Sequence, residues 1–143
     1  MHRTNPIGLT LLWLALSLGA AAARADVVIV VSSKSPVTKL NKDQVADIFL
    51  GKSRRFPDGS QATPLDQPES SSVRDSFYST VVGKSPSQLK AYWSKIIFTG
   101  RGQPPRTVLN SSQVKKFLVE NPLAISYMEA DQVDSTVRAL PTP

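Results

Sequence analysis

The sequence predicts an α/β fold, in which one small mixed sheet is flanked by about four helices. Two observations carry this prediction. Two short runs typical of buried strands lie far apart along the chain: 27–31 is wholly apolar and β-branched, and 124–128 is rich in apolar residues. Between them, four segments show the apolar spacing and the capping residues of helices. The expected order is β-α-β-α-α-α-β-β, without an internal repeat, which fits a single domain.

Residues 1–25 have the features of a secretory signal peptide. A basic start is followed by an apolar stretch at 7–23, and the small residues Ala23 and Ala25 predict cleavage after Ala25. A retained membrane anchor is the alternative, and no later segment is apolar enough to span a bilayer. We therefore expect a domain at 26–143 that is exported to the periplasm and is long enough for one modest core.

Two residue types that serve most catalytic and metal sites are missing after the leader. The sequence has no Cys, and its single His is His2. A Ser-His-Asp or Cys-His catalytic group, a Cys/His zinc site and a disulfide are therefore excluded from the domain. No paired-carboxylate motif stands out either. We expect a protein that is not an enzyme and that uses no metal and no cofactor.

The chain has a net charge of +6 at pH 7. This charge favours anionic partners in general, and it is equally compatible with plain solubility. We expect no nucleic acid among the partners.

The first strand and helix are marked by local signals. The apolar run at 27–31 is followed by the hydroxyl-rich segment 32–35. A helix then starts at Asn41, which can cap it, with Gln44 completing a capping box. Gly51 can end this helix, because glycine readily takes the left-handed conformation of a helix C-terminus.

The next segment, 61–65, is short and contains Pro64, which predicts an edge strand or an extended crossover. An amphipathic helix follows and is expected to end at Gly83. Its apolar face is formed by Val73, Phe77 and Val81.

A third helix is predicted from Ser85 as the cap, with Pro86 at the first helical position and Gln88 completing a capping box. Its expected buried stripe consists of Leu89, Tyr92, Trp93, Ile96 and Ile97. We interpret the adjacent aromatic pair as core.

The last third of the chain begins with a loop at 98–105 that is rich in glycine and proline and carries Arg101. A fourth helix is expected at 112–120, where Asn121 and Pro122 stop it. Two strands follow, at 124–128 and 137–140.

Three consecutive serines, Ser70, Ser71 and Ser72, stand where the second helix begins. Backbone N–H groups at a helix start are unbonded, carry a partial positive charge and attract anions. One interpretation makes Ser70 or Ser71 an ordinary cap with nothing bound. The other makes the cluster an oxyanion site.

Two arginines are candidates to assist such a site. Arg74 can reach a ligand from the helix start, or it can pair with Glu69 or Asp75 at the surface. Arg101 stands between glycines that allow the backbone to approach a ligand closely, although loop arginines usually face solvent.

Four segments together resemble a known family. They are DQVADIFLGK, FPDGSQATPLDQPESSSVRDSFY, LKAYWSKIIFTGRGQPP and NPLAISYM. In this order they are similar to the small, single-domain, phosphate-binding-protein-like family of exported bacterial proteins, a reduced form of the substrate-binding component of ABC phosphate transporters. The resemblance covers nearly all of residues 26–140. It implies a single periplasmic-binding-protein-like lobe.

The resemblance also implies a ligand loop. Full-size phosphate-binding proteins carry a loop of the type Arg-x-Asp-Gly-Ser-Gly-Thr before a helix. Aligned on Phe77, the serine of that loop falls on Ser71 and its acid falls on Glu69. Ser71 and Ser72 would then be the primary donors to an oxyanion, and Glu69 would accept the proton of monohydrogen phosphate.

The same comparison gives secondary candidates and three departures. Ser32 and Ser33 resemble a second hydroxyl-rich ligand loop of the family. Gln67 stands where the loop has its arginine, and a bidentate guanidinium is one of the strongest oxyanion contacts. The other departures are Ser72 at the second glycine and Val73 at the threonine. The secondary ligand candidates are Ser32, Ser33, Arg74 and Arg101.

Two functional hypotheses follow. The first is a periplasmic solute-binding protein for an oxyanion, with phosphate favoured, linked to ABC-type phosphate uptake. Because one lobe covers only one side of a ligand, its partner would be an ABC transporter permease or a second copy of the chain. The second is a periplasmic interaction or sensory module that keeps the lobe and has lost ligand binding. The missing arginine and glycine of the loop favour the second hypothesis.

Overall fold

The computed structural model describes residues 26–142. The predicted signal peptide and its cleavage position therefore lie outside the described residues. Five strands and four α-helices follow in chain order: β1 (Val27–Ser32), α1 (Lys42–Phe49), β2 (Thr63–Asp66), α2 (Ser72–Phe77), α3 (Pro86–Phe98), β3 (Arg106–Thr107), α4 (Ser111–Glu120), β4 (Ala124–Glu129) and β5 (Val137–Leu140). A π-helical turn, Tyr78–Val82, extends α2, and a 3-10 turn, Ala130–Gln132, follows β4.

The strands form one mixed sheet in the order β3-β2-β4-β1-β5. β2 runs parallel to β3 and to β4, whereas β1 runs antiparallel to β4 and to β5. The predicted class, an α/β fold with a small mixed sheet and about four helices, is confirmed. The two-residue strand β3 was not predicted.

The prediction of an edge strand around Pro64 was wrong, because β2 lies inside the sheet between β3 and β4. The N–H of Thr63 donates to the carbonyl of Leu123 on the β4 side. Since successive N–H groups of a strand alternate in direction, the nitrogen of Pro64 points toward β3. β3 pairs only with Leu65 and Asp66. A proline is therefore tolerated here without the loss of a ladder hydrogen bond.

Both faces of the sheet are covered, which explains the uninterrupted apolar run of β1. Ile29 and Val31 pack on the face covered by α1, α2 and α3. Val30 packs on the opposite face, against Val114 and Leu118 of α4. β4 divides in the same way, so the two central strands have no solvent-facing side.

The helix starts that carry a capping box are confirmed. Asn41 accepts a hydrogen bond from the N–H of Gln44, and the Gln44 side chain accepts one from the N–H of Asn41, at 2.8 and 2.9 Å. Ser85 and Gln88 form the same box, with Pro86 in the first turn. The predicted end of the second helix at Gly83 is confirmed as well, and this residue has a φ of 75°.

The expected buried stripe of α3 is only partly correct. Leu89 and Trp93 are buried, and Tyr92 and Ile96 pack against the core from a partly exposed position. Ile97 is 54% exposed and lies at the border of two clefts, not in the core. Within residues 26–142, no helix has the length and apolar content that a membrane span requires.

Candidate functional site

Two helices begin at the same edge of the sheet. Because β2, β3 and β4 are parallel, their carboxyl ends meet at that edge. The chain passes from β2 toward α2 and from β3 toward α4. The amino ends of α2 and α4 therefore border one cleft of about 480 Å³, which we call the serine cleft. Its lining residues are Gln67, Ser70, Ser71, Ser72, Val73, Leu109, Asn110, Ser111, Ser112, Glu129 and Gln132.

Backbone N–H groups that cannot bond within a helix border the serine cleft. Ser72 and Val73 are the first two residues of α2, and Ser111 and Ser112 are the first two of α4. N–H groups at these positions have no carbonyl partner inside their own helix. The partial positive charges of two helix starts therefore act on the same space. This arrangement offers neutral N–H and hydroxyl donors to an anion.

Ser71 is the N-cap of α2, which decides between the two predicted caps, Ser70 and Ser71. The Ser71 hydroxyl oxygen accepts a hydrogen bond from the N–H of Arg74 at 3.3 Å. The same hydroxyl donates to Oε1 of Gln67 at 3.3 Å. The hydroxyl thus holds the helix start in place, and the unbonded donors beside it are the N–H groups of Ser72 and Val73.

Gln67 is a buried polar residue at the position where the resemblance places an arginine. It is 4% exposed, and its Nε2 donates to the carbonyl oxygen of Tyr127 at 3.1 Å. The amide therefore ties the loop after β2 to β4 and orients the hydroxyl of Ser71. A neutral side chain makes these bonds without placing a charge in the interior.

Behind this loop lies a buried carboxylate that the sequence patterns did not single out. Asp66, at the end of β2, is 3% exposed. Its carboxylate accepts hydrogen bonds from the hydroxyls of Tyr78 (2.8 Å) and Tyr127, and from the N–H of Gln67 at 2.8 Å. Nε of Arg74 lies 3.4 Å away. Its two tyrosine partners come from the turn after α2 and from β4, so no local spacing in the sequence pairs them with Asp66.

The same carboxylate changes the acidity of its tyrosine partners. Burial raises the pKa of the Tyr78 and Tyr127 hydroxyls well above their usual range, and the negative charge of Asp66 raises both further. Both hydroxyls therefore remain protonated hydrogen-bond donors across the physiological pH range.

Arg74 pairs with Asp66 and not with the surface acids Glu69 or Asp75. Its guanidinium also lies 5.1 Å from the ring centre of Tyr78. Arg74 and Glu69 line a second cleft of about 700 Å³, on the other side of Gln67. The structure thus places Ser71 and Ser72 in the serine cleft and places Glu69 and Arg74 beside it.

Ser32 and Ser33 are not brought to the serine cleft. They stand at the carboxyl end of β1, which runs antiparallel to β4, so they lie at the opposite edge of the sheet. Val31 pairs with Ile125, four residues before Glu129, or about 13 Å along the strand. Ser32 is also buried, and its hydroxyl accepts a hydrogen bond from the N–H of Lys34.

Arg101 is also separate from the serine cleft. It lines a third cleft, of about 660 Å³, together with Arg54. Trp93 and Ile97 line both this cleft and the one that contains Glu69 and Arg74. The sequence had no signal for this separation, because the loop at 98–105 has no periodic pattern.

Within residues 26–142, no Lys or Arg side chain lines the serine cleft, and its one carboxylate is Glu129. The hydroxyl of Ser111 donates to Glu129 at 2.7 Å. The cleft therefore combines many neutral donors with one charged acceptor. In the described part of the chain, no group of three or more His, Cys, Asp or Glu residues is arranged to hold a metal ion.

The architecture is shared with solved phosphate-transport proteins. An ABC-type phosphate transport receptor from Vibrio cholerae superimposes with a TM-score of 0.64 and 22% identity, over 81% of this chain and 45% of that one. A putative phosphate ABC transporter substrate-binding protein with bound phosphate, from Clostridium perfringens, superimposes with a TM-score of 0.64 and 21% identity. This match covers 81% of this chain and 44% of that one. PstS from Borrelia burgdorferi superimposes with a TM-score of 0.61 and 12% identity, over 81% of this chain and 46% of that one.

The chain has the fold of phosphate ABC transporter substrate-binding proteins. It spans less than half the length of each of these three neighbours. The expected periplasmic-binding-protein-like lobe is thereby confirmed as a fold. The sequence matches no protein-family model and no curated protein. The first two neighbours are named as phosphate transport proteins.

Proposed function

We propose that this protein is a periplasmic solute-binding protein that holds an oxyanion, phosphate first, in the serine cleft. The observation that carries the proposal is the convergence of the α2 and α4 starts on one cleft. Two helix starts can supply N–H donors to one anion from two sides of the cleft. The fold neighbours, one of which has bound phosphate, support the choice of ligand.

Neutral donors are sufficient for such a site. Each N–H···O⁻ bond is charge-assisted and stronger than a bond between neutral groups. The N–H groups of Ser72, Val73, Ser111 and Ser112 are fixed by their helices, so they lose little freedom when an anion binds. An arginine is therefore not required for binding, although its absence lowers the expected affinity.

In this proposal Glu129, rather than Glu69, is the carboxylate that meets the ligand. Glu129 lines the serine cleft, whereas Glu69 lines the neighbouring one. Monohydrogen phosphate carries a proton that a carboxylate can accept, and sulfate at neutral pH does not. A fixed carboxylate therefore favours phosphate over sulfate by repelling an anion that offers no hydrogen.

The serine cleft is open on one side, which affects both the expected affinity for the anion and the kind of partner that the protein needs. The chain spans less than half of its neighbours, so its own residues supply one wall of a site that two lobes would enclose. We expect weak binding by the isolated chain and tighter binding when an ABC transporter permease or a second copy covers the cleft. The protein would then deliver phosphate to an uptake system and catalyse no reaction.

Proline substitutions at the first helical position test the proposal. Ser72→Pro removes one N–H and one hydroxyl and leaves the helix intact, since proline is favoured at this position. The preceding Ser71 has φ −78° and ψ 122°, which a residue before proline accepts. Lys42→Pro removes the N–H at the same helical position of α1, after Asn41 with φ −84° and ψ 168°, away from the cleft.

The parent protein and both variants are titrated with phosphate and with sulfate, and binding is monitored by amide NMR and by thermal unfolding. We expect phosphate to shift amide signals of 72, 73, 111 and 112, and to bind S72P about tenfold more weakly or worse, since a charge-assisted bond contributes about 1.5–3 kcal/mol. K42P should bind like the parent protein. Equal affinity of S72P and K42P for phosphate, or no response of the parent protein to either anion, would reject the proposal.

The second candidate is a docking or sensory module without a ligand. The buried amide of Gln67 in place of an arginine favours it, since this residue is committed to Tyr127 and Ser71. A stable copurifying partner, combined with unchanged melting curves in phosphate and sulfate, would select this function.

A further inference from the structure

A long part of the chain contains no acidic residue. Between Asp75 and Glu120 there are seven Lys or Arg residues and neither Asp nor Glu. This segment includes all of α3, the following loop, β3 and most of α4. The positive charge of the protein is therefore concentrated on the elements that this segment forms.

The carboxyl end of α3 carries an apolar tip. Phe98 is 92% exposed and Ile97 is 54% exposed. They are neighbours in sequence, and no described element covers them. Adjacent exposed apolar side chains with polar residues around them are typical of surfaces that bind another protein or a membrane.

Basic side chains surround this tip. Lys95 lies one helical turn before Phe98, and positions three residues apart are neighbours on a helix surface. Ile97 lines one cleft with Lys90 and another with Arg54 and Arg101. Among the described residues, none of these four cations has a carboxylate within 4 Å.

We propose that this surface docks the protein on an anionic lipid bilayer. We call it the tip surface and define it by Phe98 and Ile97 with the surrounding Lys90, Lys95, Arg101 and Arg54. The ring of Phe98 would enter the headgroup region, and the cations would remain at the level of the lipid phosphates. This mode of binding lies beyond oxyanion binding and does not depend on it.

Shape and charge together favour a bilayer over an acidic protein. Phe98 is 92% exposed at the end of a helix, and a soft bilayer receives a projecting ring without a matching concave site. Long Lys and Arg side chains can reach toward headgroups as they rest on apolar surface. Neither the ring nor the cations need a specific partner geometry.

The absence of cysteine gives a direct local test in the full chain. Thr99→Cys, next to Phe98, is labelled with an environment-sensitive dye, and Val119→Cys on α4 is the matched control, since Val119 is also 50% exposed. Each protein is mixed with vesicles of phosphatidylglycerol and phosphatidylcholine, or of phosphatidylcholine alone. The label reports on its own position, so any vesicle binding by residues 1–25 does not mimic the result.

We expect a blue shift at position 99 with anionic vesicles only, its loss in 0.5 M salt, and no shift at position 119. In the labelled T99C protein, Phe98→Asp should abolish the shift, and Arg101→Glu should weaken vesicle affinity about tenfold. Lys116→Glu, an exposed cation on α4, which packs on the other face of the sheet from α3, should leave it unchanged. An equal shift at both positions, or a shift with neutral vesicles, would overturn the proposal. A shift with soluble polyglutamate and none with vesicles would assign the surface to an acidic protein instead.

Discussion

The carboxylate of Asp66 accepts a hydrogen bond from the hydroxyl of Tyr78 at 2.8 Å, joining the end of β2 to the π-helical turn after α2. Tyr127 of β4 and Arg74 of α2 bind the same carboxylate. One buried acid therefore holds together the segments that separate the serine cleft from the cleft beside it. The position of the Ser71 loop depends on this cluster through Gln67, whose N–H also donates to Asp66.

Asp66→Asn should destabilise the domain by about 3 kcal/mol. The substitution leaves the partly buried guanidinium of Arg74 without its counter-charge and turns an NH₂ group toward tyrosine hydroxyls. Urea unfolding followed by tryptophan fluorescence measures the free energy of unfolding. Glu120→Gln, which makes the same chemical change at an exposed site, is the control and should have little effect. Equal stability of the two variants would contradict the role of Asp66.

Removal of the Tyr127 hydroxyl should lower the free energy of unfolding more than removal of the Tyr78 hydroxyl. The Tyr127 hydroxyl donates to Asp66 and accepts from the N–H of Gln67 at 3.1 Å, whereas the Tyr78 hydroxyl makes the one bond to Asp66. We expect Tyr127→Phe to cost about 2–3 kcal/mol and Tyr78→Phe about 1–2 kcal/mol. The double variant should cost less than the sum, because both act on one carboxylate. The reverse ranking or strict additivity in urea unfolding would contradict the shared cluster.

Local signals in the sequence were sufficient for most of the fold. The capping boxes of Asn41 and Ser85 and the glycine at 83 act within a few residues, so their effect can be worked out from the sequence alone. The position of β2 within the sheet could not be predicted from the sequence, because strand order depends on pairing with the distant strands β3 and β4. β3 itself has two residues, too few for a periodic pattern.

Only part of the candidate site could be predicted from the sequence. Ser71 and Ser72 were candidates from the sequence, because they start a helix with a clear apolar face. Ser111 and Glu129 were missed, since only the parallel pairing of β2 with β3 and β4 brings them to the serines. Ser32 and Ser33 were placed by resemblance, and the antiparallel direction of β1 takes them to the other edge.

Alanine substitutions should distinguish the adjacent serines of the helix start. Ser71→Ala removes the hydroxyl that accepts the N–H of Arg74, so it should lower the free energy of unfolding by about 1 kcal/mol. Ser70→Ala, the matched control, should change it by a few tenths of a kcal/mol, because Ser70 is exposed and does not cap the helix. Thermal or urea unfolding decides the matter, and a larger loss in S70A than in S71A would show that the cap is misassigned.

Alkaline pH should unfold the protein through its buried tyrosines. Burial, and then the charge of Asp66, raises the pKa of Tyr78 and Tyr127 in the folded state, whereas the unfolded chain ionises near pH 10. Above that pH the unfolded state binds fewer protons than the native state, so the free energy of unfolding falls as pH rises. The tyrosine contribution is complete below pH 10 and declines above it. Absorbance at 295 nm should therefore rise together with the loss of tertiary structure, and the Y78F variant should show a shallower decline in stability with pH. Full ionisation of all three tyrosines near pH 10 with the fold intact would contradict this burial.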